Sequence, residues 1–300
     1  MYVILGASGH TGRVVAETLL DGGHKVRVVG RSKQRLEGFT VLGGEIFEAN
    51  VTDSAALTNA FRGAKAVYAL VPPNLASTDY RAEQDAVTES LAKAHEAAGV
   101  SHVVALSSFG ADKTDKTGPI AGLHVMEERL SRIPKLNSLF LRAGYFMENI
   151  LPQVSVIQAF GSMAGPVRAD LPLPMIATRD IGAAAAEILA RRDIQGKQRR
   201  ELLGARDVTY AQLAKIVGTA IGKPNLQYQQ FGAAQLKPAL MQMGMSANMV
   251  DLLLEMSNAL NSGYMRALEP RSAQNTTPTT IETFVSEVLL PVFRMQAARA

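Results

Sequence analysis

A chain of 300 residues that is 47% hydrophobic and carries a formal net charge of +4 has the apolar content for a sizeable core, which excludes a disordered polymer. Its cations are spread along the chain, tryptophan is absent, and no apolar run reaches the roughly eighteen residues of a membrane span; neither direct nucleic-acid binding nor a membrane is expected, and the protein is read as cytoplasmic. With no cysteine there are no disulfides, thiolate nucleophiles or cysteine-held iron–sulfur clusters, and the five histidines show neither i,i+4 pairing nor an H-E-x-x-H motif, so no metal site is expected.

The chain opens with an apolar strand over 2–5 that runs into glycines at 6, 9 and 12 and at once into a helical stretch over 12–21. Gly6 permits the tight turn off the strand, Gly9 lets the backbone approach a pyrophosphate, and Gly12 lets the helix pack closely on the sheet. Unpaired N–H groups and the positive dipole end at the helix start attract the anion, which places Ser8, His10 and Thr11 in the same cofactor site. A strand over 25–30 then runs into Arg31-Ser32-Lys33. Folds that take NAD hold the ribose 2′-hydroxyl with an acid there, whereas Arg31 and Lys33 suit a 2′-phosphate. NADP(H) is the expected cofactor, with NAD(H) weaker; a solvated basic turn over 31–35 is the plain alternative.

A strand over 45–49 leads to Asn50-Val-Thr-Asp53, where Asp53 is a good N-cap for the helix over 54–62. The strand over 66–71 ends in Val71-Pro72, where proline can simply stop the strand. Helix 80–98, strand 102–107, helix 120–131 and strand 137–142 complete an alternation that predicts an α/β fold. Its core is a doubly wound, Rossmann-like parallel sheet with ligands beyond the carboxyl ends of the strands.

Past residue 150 the rhythm loosens. Segment 161–176, with three prolines, reads as loop or short edge strand. A helix over 180–191, a strand near 200–203, a helix over 208–221, a short strand over 226–230 and helices near 233–243, 246–261 and 280–294 follow. The expectation is an NAD(P)-binding domain over 1–150 and a smaller, mainly α substrate- or partner-side domain over 151–300, interleaved with the first. Five of the 12 methionines fall between Met241 and Met256 and suit either an adaptable apolar pocket or ordinary helix packing.

Three local features carry a resemblance. The glycine turn has the spacing G-x-x-G-x-x-G, as Gly6-Ala-Ser-Gly-His-Thr-Gly12; the fifth strand ends Ser107-Ser108-Phe109-Gly110; and residues 141–149 read Leu-Arg-Ala-Gly-Tyr-Phe-Met-Glu-Asn. Together they resemble the NmrA-like branch of the atypical short-chain dehydrogenases/reductases, whose signature is Leu-Arg-Pro-Gly-x-Phe-Met-Glu-Asn. Thr178-Arg-Asp-Ile181 and Leu203-Gly204 extend the likeness over most of residues 1–230. The resemblance implies that Asp53 sits near the adenine, although Asn50 departs from the family's acidic pair, that Val71 and Pro72 line the cofactor's ribose, that Ser107 and Ser108 stand at the family's serine position and that Tyr145 and Phe146 form a flat wall near the nicotinamide. It also implies that Asn149 caps or ties the loop.

The Tyr-x-x-x-Lys pair of conventional members is missing, since no tyrosine lies between 81 and 144. His124 stands near the place where relatives have lysine or histidine; imidazole suits proton transfer or a bond to the nicotinamide ribose, and it equally suits packing at the edge of an apolar face. Two functions stay open. One is a reductase passing hydride from NADPH to a quinone-like small molecule, with Tyr145 contributing its ring more than its hydroxyl and His124 assisting. The other is an NADP(H)-sensing regulator that binds a partner protein. An alcohol dehydrogenase or sugar epimerase fits least, because it needs the absent proton-transfer pair.

Overall fold

The computed structural model describes residues 1–298. The first half alternates as the apolar runs require: β1 (Tyr2–Leu5), α1 (His10–Asp21), β2 (Val26–Gly30), α2 (Gly38–Val41), β3 (Glu45–Glu48), α3 (Ser54–Phe61), β4 (Ala66–Ala69), α4 (Tyr80–Ala98), β5 (His102–Ser108), α5 (Ile120–Ser131) and β6 (Asn137–Ala143). The second half adds β7 (Tyr145–Phe146), α6 (Gln153–Phe160), β8 (Met163–Gly165), β9 (Leu173–Ile176), α7 (Thr178–Arg191), β10 (Lys197–Leu202), β11 (Asp207–Val208), α8 (Tyr210–Ala220), β12 (Tyr228–Gln230), α9 (Ala233–Gln242), α10 (Ala247–Asn261), α11 (Ile281–Phe284) and α12 (Leu290–Ala297).

Seven strands form one sheet in the order β10-β6-β5-β4-β1-β2-β3, and every pairing is parallel. Chain direction along the sheet reverses between β1 and β4, so their carboxyl ends flank a switch-point crevice, the usual ligand position in such sheets. Ile4, Val28 and Leu141 pack with α1 and α7 on one face, while Val103 and Phe140 pack with Leu57 of α3, Leu91 of α4 and Met126 of α5 on the other. A third core forms the lobe beside the sheet's carboxyl edge, from α6, α8, α10 and α11 around Met147, Met175, Leu213, Leu260 and Phe284.

Helices α2 and α6 and the two-residue strands β7 and β11 have no counterpart in the sequence reading, and three expected elements differ from it. Strand β10 is longer than expected and lies parallel to β6 in the main sheet, so residues beyond 190 return to the first core. Segment 161–176 contains β9, which sits between β11 and β7 rather than at an edge; its ladders are two residues long on each side, and Pro174 removes only one donor from them. The expected helix over 280–294 widens into a π-turn at Val285–Leu289 just before Pro291. A proline in a helix lacks an N–H and crowds the carbonyl of the preceding turn, and the wider turn accommodates both effects.

Candidate active site

At the crevice, Gly6 adopts φ +67°, a conformation that side chains disfavour, and the N–H of Gly9 donates to the Gly6 carbonyl at 2.9 Å, closing the turn. Helix α1 starts from Gly9 with no side chain capping its first N–H groups. Ser8, Gly9 and His10 are exposed at the mouth, whereas Thr11 and Gly12 are buried beneath it. The glycines differ in what they face. A Cβ on Gly12 would lie 2.4 Å from the Gly6 oxygen, but one on Gly9 would meet only that same oxygen, at 3.3 Å. Gly12 is therefore required by the fold, and Gly9 opens a cradle of main-chain donors of the kind that receives phosphate.

Beyond β2, Arg31 and Lys33 are exposed, and neither side chain joins an ion pair among the described residues. The sequence reading found no acid at the end of β2, yet Glu48 arrives there from the adjacent β3: its carboxylate accepts the Lys33 backbone N–H at 3.2 Å. Asp53 caps α3, its carboxylate accepting from the Ala56 N–H at 2.9 Å. Half-buried Val71 and Pro72 leave β4 beside the glycine turn, where the Pro72 carbonyl accepts from the Tyr80 hydroxyl at 3.2 Å.

On the other side of the crevice β5 and β6 end in register, Ser107 beside Arg142 and Ser108 beside Ala143. The two serines have different environments. Ser107 is buried and donates to Glu127 of α5 at 2.6 Å, so its hydroxyl hydrogen is already committed; Ser108 is half-buried and donates at 3.0 Å to the Phe109 carbonyl. Glu127, only 1% exposed, also accepts from Arg142 through Nε at 2.9 Å and Nη2 at 2.7 Å, and from Arg199 Nε of β10 at 2.9 Å. This network joins α5, β5, β6 and β10, and the sequence reading missed it. An acid on a mostly apolar helix face, three residues after His124, was its only signal.

His124 is half-buried on the flank of α5, where it lines a groove of about 280 Å³ with Val125, Glu128, Arg129 and Arg132. Its Nδ1 lies 2.9 Å from the Ala111 carbonyl and must donate to it. The neutral ring then presents Nε2 as an acceptor, so donation from Nε2 requires the charged ring.

Tyr145 and Phe146 alternate on β7: Phe146 packs toward the sheet core and Tyr145 toward the lobe. The Tyr145 hydroxyl lies 3.0 Å from that of Tyr210, with the rings edge to face. Tyr210 in turn stacks on Tyr228 at 4.5 Å, and the Tyr228 hydroxyl donates to the Val167 carbonyl at 2.8 Å. Burial pushes the Tyr145 phenol up from its usual pKa and the Tyr210 phenol well above it. Glu148 ties down the loop after β7 by accepting from the Thr178 N–H at 3.0 Å and its hydroxyl at 2.5 Å, capping α7; the expected tie, Asn149, is exposed. Of the methionine-rich segment, Met241 and Met243 are exposed and α9 buries none of its residues. The segment's other half packs: Met249 of α10 is buried and Met256 packs on the lobe core, whose buried thioethers are Met147, Met163, Met175 and Met265.

Among the described residues no helix is long and apolar enough to cross a membrane, and no group of side chains could hold a metal ion. A parallel sheet with a main-chain anion cradle at its switch point and an apolar, phenol-lined lobe alongside defines a Rossmann-like protein. The chain belongs to the NmrA-like family, whose model matches residues 2–285. It is 32% identical, over 80% of each chain, to the (4-alkanoyl-5-oxo-2,5-dihydrofuran-3-yl)methyl phosphate reductase of Streptomyces griseus. Its fold is shared with the NADPH-complexed, NADPH-dependent quinone oxidoreductase QOR2 of Escherichia coli (TM-score 0.81, 24% identity, 96% of this chain and 99% of that one). It is also shared with the Citrobacter sp. triphenylmethane reductase complexed with NADP(H) (TM-score 0.76, 17% identity, 94% and 98%).

Proposed function

We propose that the chain is a cytoplasmic NADPH-dependent reductase that passes hydride to a small, flat, electron-poor acceptor of the quinone type. The observation that carries this reading is the open cradle of uncapped main-chain donors at Gly9, set at the switch-point crevice of the parallel sheet. A 32% identical relative that is a phosphate-ester furanone reductase, and shared folds with quinone and dye reductases, support it.

In this reading the uncapped N–H groups of α1 hold the pyrophosphate, Arg31 and Lys33 pair with the 2′-phosphate, Asp53 borders the adenine, and Val71 and Pro72 line the ribose. NADPH, when bound, supplies the hydride. Ser108, rather than Ser107, has the half-exposed hydroxyl that faces the ligand, while Phe146 on the sheet side of β7 borders the nicotinamide and the Tyr145 ring on the lobe side borders the acceptor, orienting the flat partners. His124, whose Nδ1–H fixes the 109–112 turn behind Ser108, assists the reaction in this reading. An electron-poor acceptor can take its final proton from water, so the missing Tyr-x-x-x-Lys pair does not prevent the reaction.

The test is loss of NADPH absorbance against a panel of quinones, azo dyes, cationic dyes and carbonyls. Turnover of at least one acceptor above the uncatalysed rate is expected. Tight NADPH binding without turnover of any would replace the reductase by a cofactor-sensing regulator with a protein partner.

A further inference from the structure

The tyrosine pair in the lobe has more donors than acceptors. Tyr145 and Tyr210 bring two O–H groups to one O···O contact of 3.0 Å, so whichever hydroxyl donates, the hydrogen of the other has no acceptor among the described residues. Tyr210 is only 5% exposed, and Tyr228, stacked on its ring, has its own hydroxyl held by Val167. Buried polar groups are nearly always paired, so a leftover phenolic hydrogen marks a place where a ligand oxygen belongs. Tyr145 is the half-buried member, on β7 where β6 ends beside Ser108.

We infer that the Tyr145–Tyr210 pair is the oxygen-recognition element of the acceptor site and selects acceptors with a conjugated carbonyl, such as quinones and unsaturated lactones, over electron-poor acceptors without one, such as cationic triphenylmethane dyes. This deepens the reductase reading and rests on it. Tyr210 donates to the Tyr145 oxygen, and Tyr145 donates to the carbonyl oxygen of the acceptor. Tyr145 is then the residue that touches substrate, and Tyr210 is a positioning residue. When a quinone takes up a hydride, a C–H or O–H bond forms at the acceptor, two electrons enter it, and negative charge collects on a carbonyl oxygen as NADPH is oxidised to NADP⁺. The hydrogen bond from Tyr145 strengthens at that moment, the phenol keeps its proton, and water supplies the proton that completes the hydroquinone. A dye cation takes the hydride on carbon and becomes neutral, leaving the phenol no oxygen to serve.

The experiment compares kcat/KM for a naphthoquinone and for a cationic triphenylmethane dye in the wild-type chain, Tyr145→Phe, Tyr210→Phe and the double variant, with circular dichroism confirming the fold. Each single variant retains one O–H, because Tyr210 can donate when Tyr145 is phenylalanine, so the single losses on quinone are the smaller ones. The double variant is expected to lose about ten- to hundredfold on quinone, the loss of one hydrogen bond to a developing charge, and the quinone-to-dye ratio falls at least tenfold. Equal losses on both acceptors, which a purely structural role would give, overturn the inference. If the wild-type chain reduces neither acceptor, the reductase reading fails, and calorimetric titration of the quinone into the NADP⁺-loaded protein decides the pair on its own. A weaker Kd in the double variant upholds it, and an unchanged Kd or no quinone binding to the wild-type chain overturns it.

Discussion

At the β1–β4 crevice the groups proposed to meet the cofactor are main-chain amides set by Gly6 and Gly9 within a single turn, whereas in the lobe those proposed to meet the acceptor are side chains, Tyr145 and Tyr210, drawn from β7 and α8 with Tyr228 of β12 stacked behind them. The buried titratable groups are divided as unevenly. Glu127, Arg142 and His95 lie in the sheet half, while the lobe's central polar groups are phenols. Carboxylates fasten the lobe to the sheet by accepting main-chain N–H groups. Glu148 holds Thr178, Asp180 holds Thr279 at 2.9 Å, and Glu201 of β10 holds Leu268 and Glu269 at 2.8–3.0 Å. A backbone-built site is stiff and tolerates no side chain where the ligand approaches. A side-chain-built one can be retuned by single substitutions, which is how one fold serves different acceptors.

That contrast breaks most sharply at the glycines. Gly9 has extended backbone, φ −101°, that any residue adopts, so Gly9→Val is expected to remain folded by circular dichroism and to lose all saturable NADPH binding in a fluorescence titration. Gly12→Ala, three residues on, is expected to damage the fold itself. A Gly9→Val protein that binds NADPH normally would move the phosphates elsewhere.

Next in size is Glu127→Ala, which leaves the Arg142 guanidinium buried beside a serine. Urea denaturation should show a loss of about 3–5 kcal/mol. A loss under about 1 kcal/mol would mean that the network orders the strand ends without holding them.

The sheet half should also own the acid sensitivity. His95 of α4 is 1% exposed, its Nδ1 donates to the Leu91 carbonyl at 2.8 Å, and burial holds its pKa down at about 4 against a reference of 6.5. The folded state keeps the ring neutral while the unfolded chain binds the proton, so this contribution is complete above about pH 6.5. It is lost as pH falls toward 4, by about 3 kcal/mol. Stability measured across that window should decline in the wild-type chain and flatten in His95→Leu, whereas the lobe's phenols, pushed upward, stay neutral throughout.

The smallest of these effects sharpens the cofactor end alone. Arg31→Ala should cut the preference for NADPH over NADH by about ten- to hundredfold, since a charge-assisted bond contributes about 1.5–3 kcal/mol. Calorimetric titration of both cofactors reads it. The nearby Glu48 carboxylate makes Glu48→Gln the useful companion, with tighter NADPH binding expected.

What could be read from the sequence follows the same division. Apolar periodicity places β1 through β6 with α1, α3, α4 and α5, and the glycine spacing places the turn, because each is dictated by neighbours in sequence. Long-range features were not legible: Glu48 meets Lys33 only through the β2–β3 register, Glu127 reaches Arg142 and Arg199 from different strands, and Tyr210 finds Tyr145 across the lobe. In residues 141–149 the eye falls on Asn149, yet the carboxylate one position earlier does the capping, since α7's first amides favour a negative charge. Pro174 suggested an edge, but the strand is short enough to be central.

Strand β6 is buried along nearly its whole length, and its outer partner, β10, lies more than fifty residues further along the chain. During synthesis β6 therefore waits as an open, apolar edge until residues 197–202 leave the ribosome. The charged side chains Lys197, Arg199 and Arg200 then close the sheet with an outer strand that discourages pairing with another molecule. A chain that stops near residue 150 would keep that edge for good, and its expected fate is aggregation rather than a free-standing cofactor-binding unit.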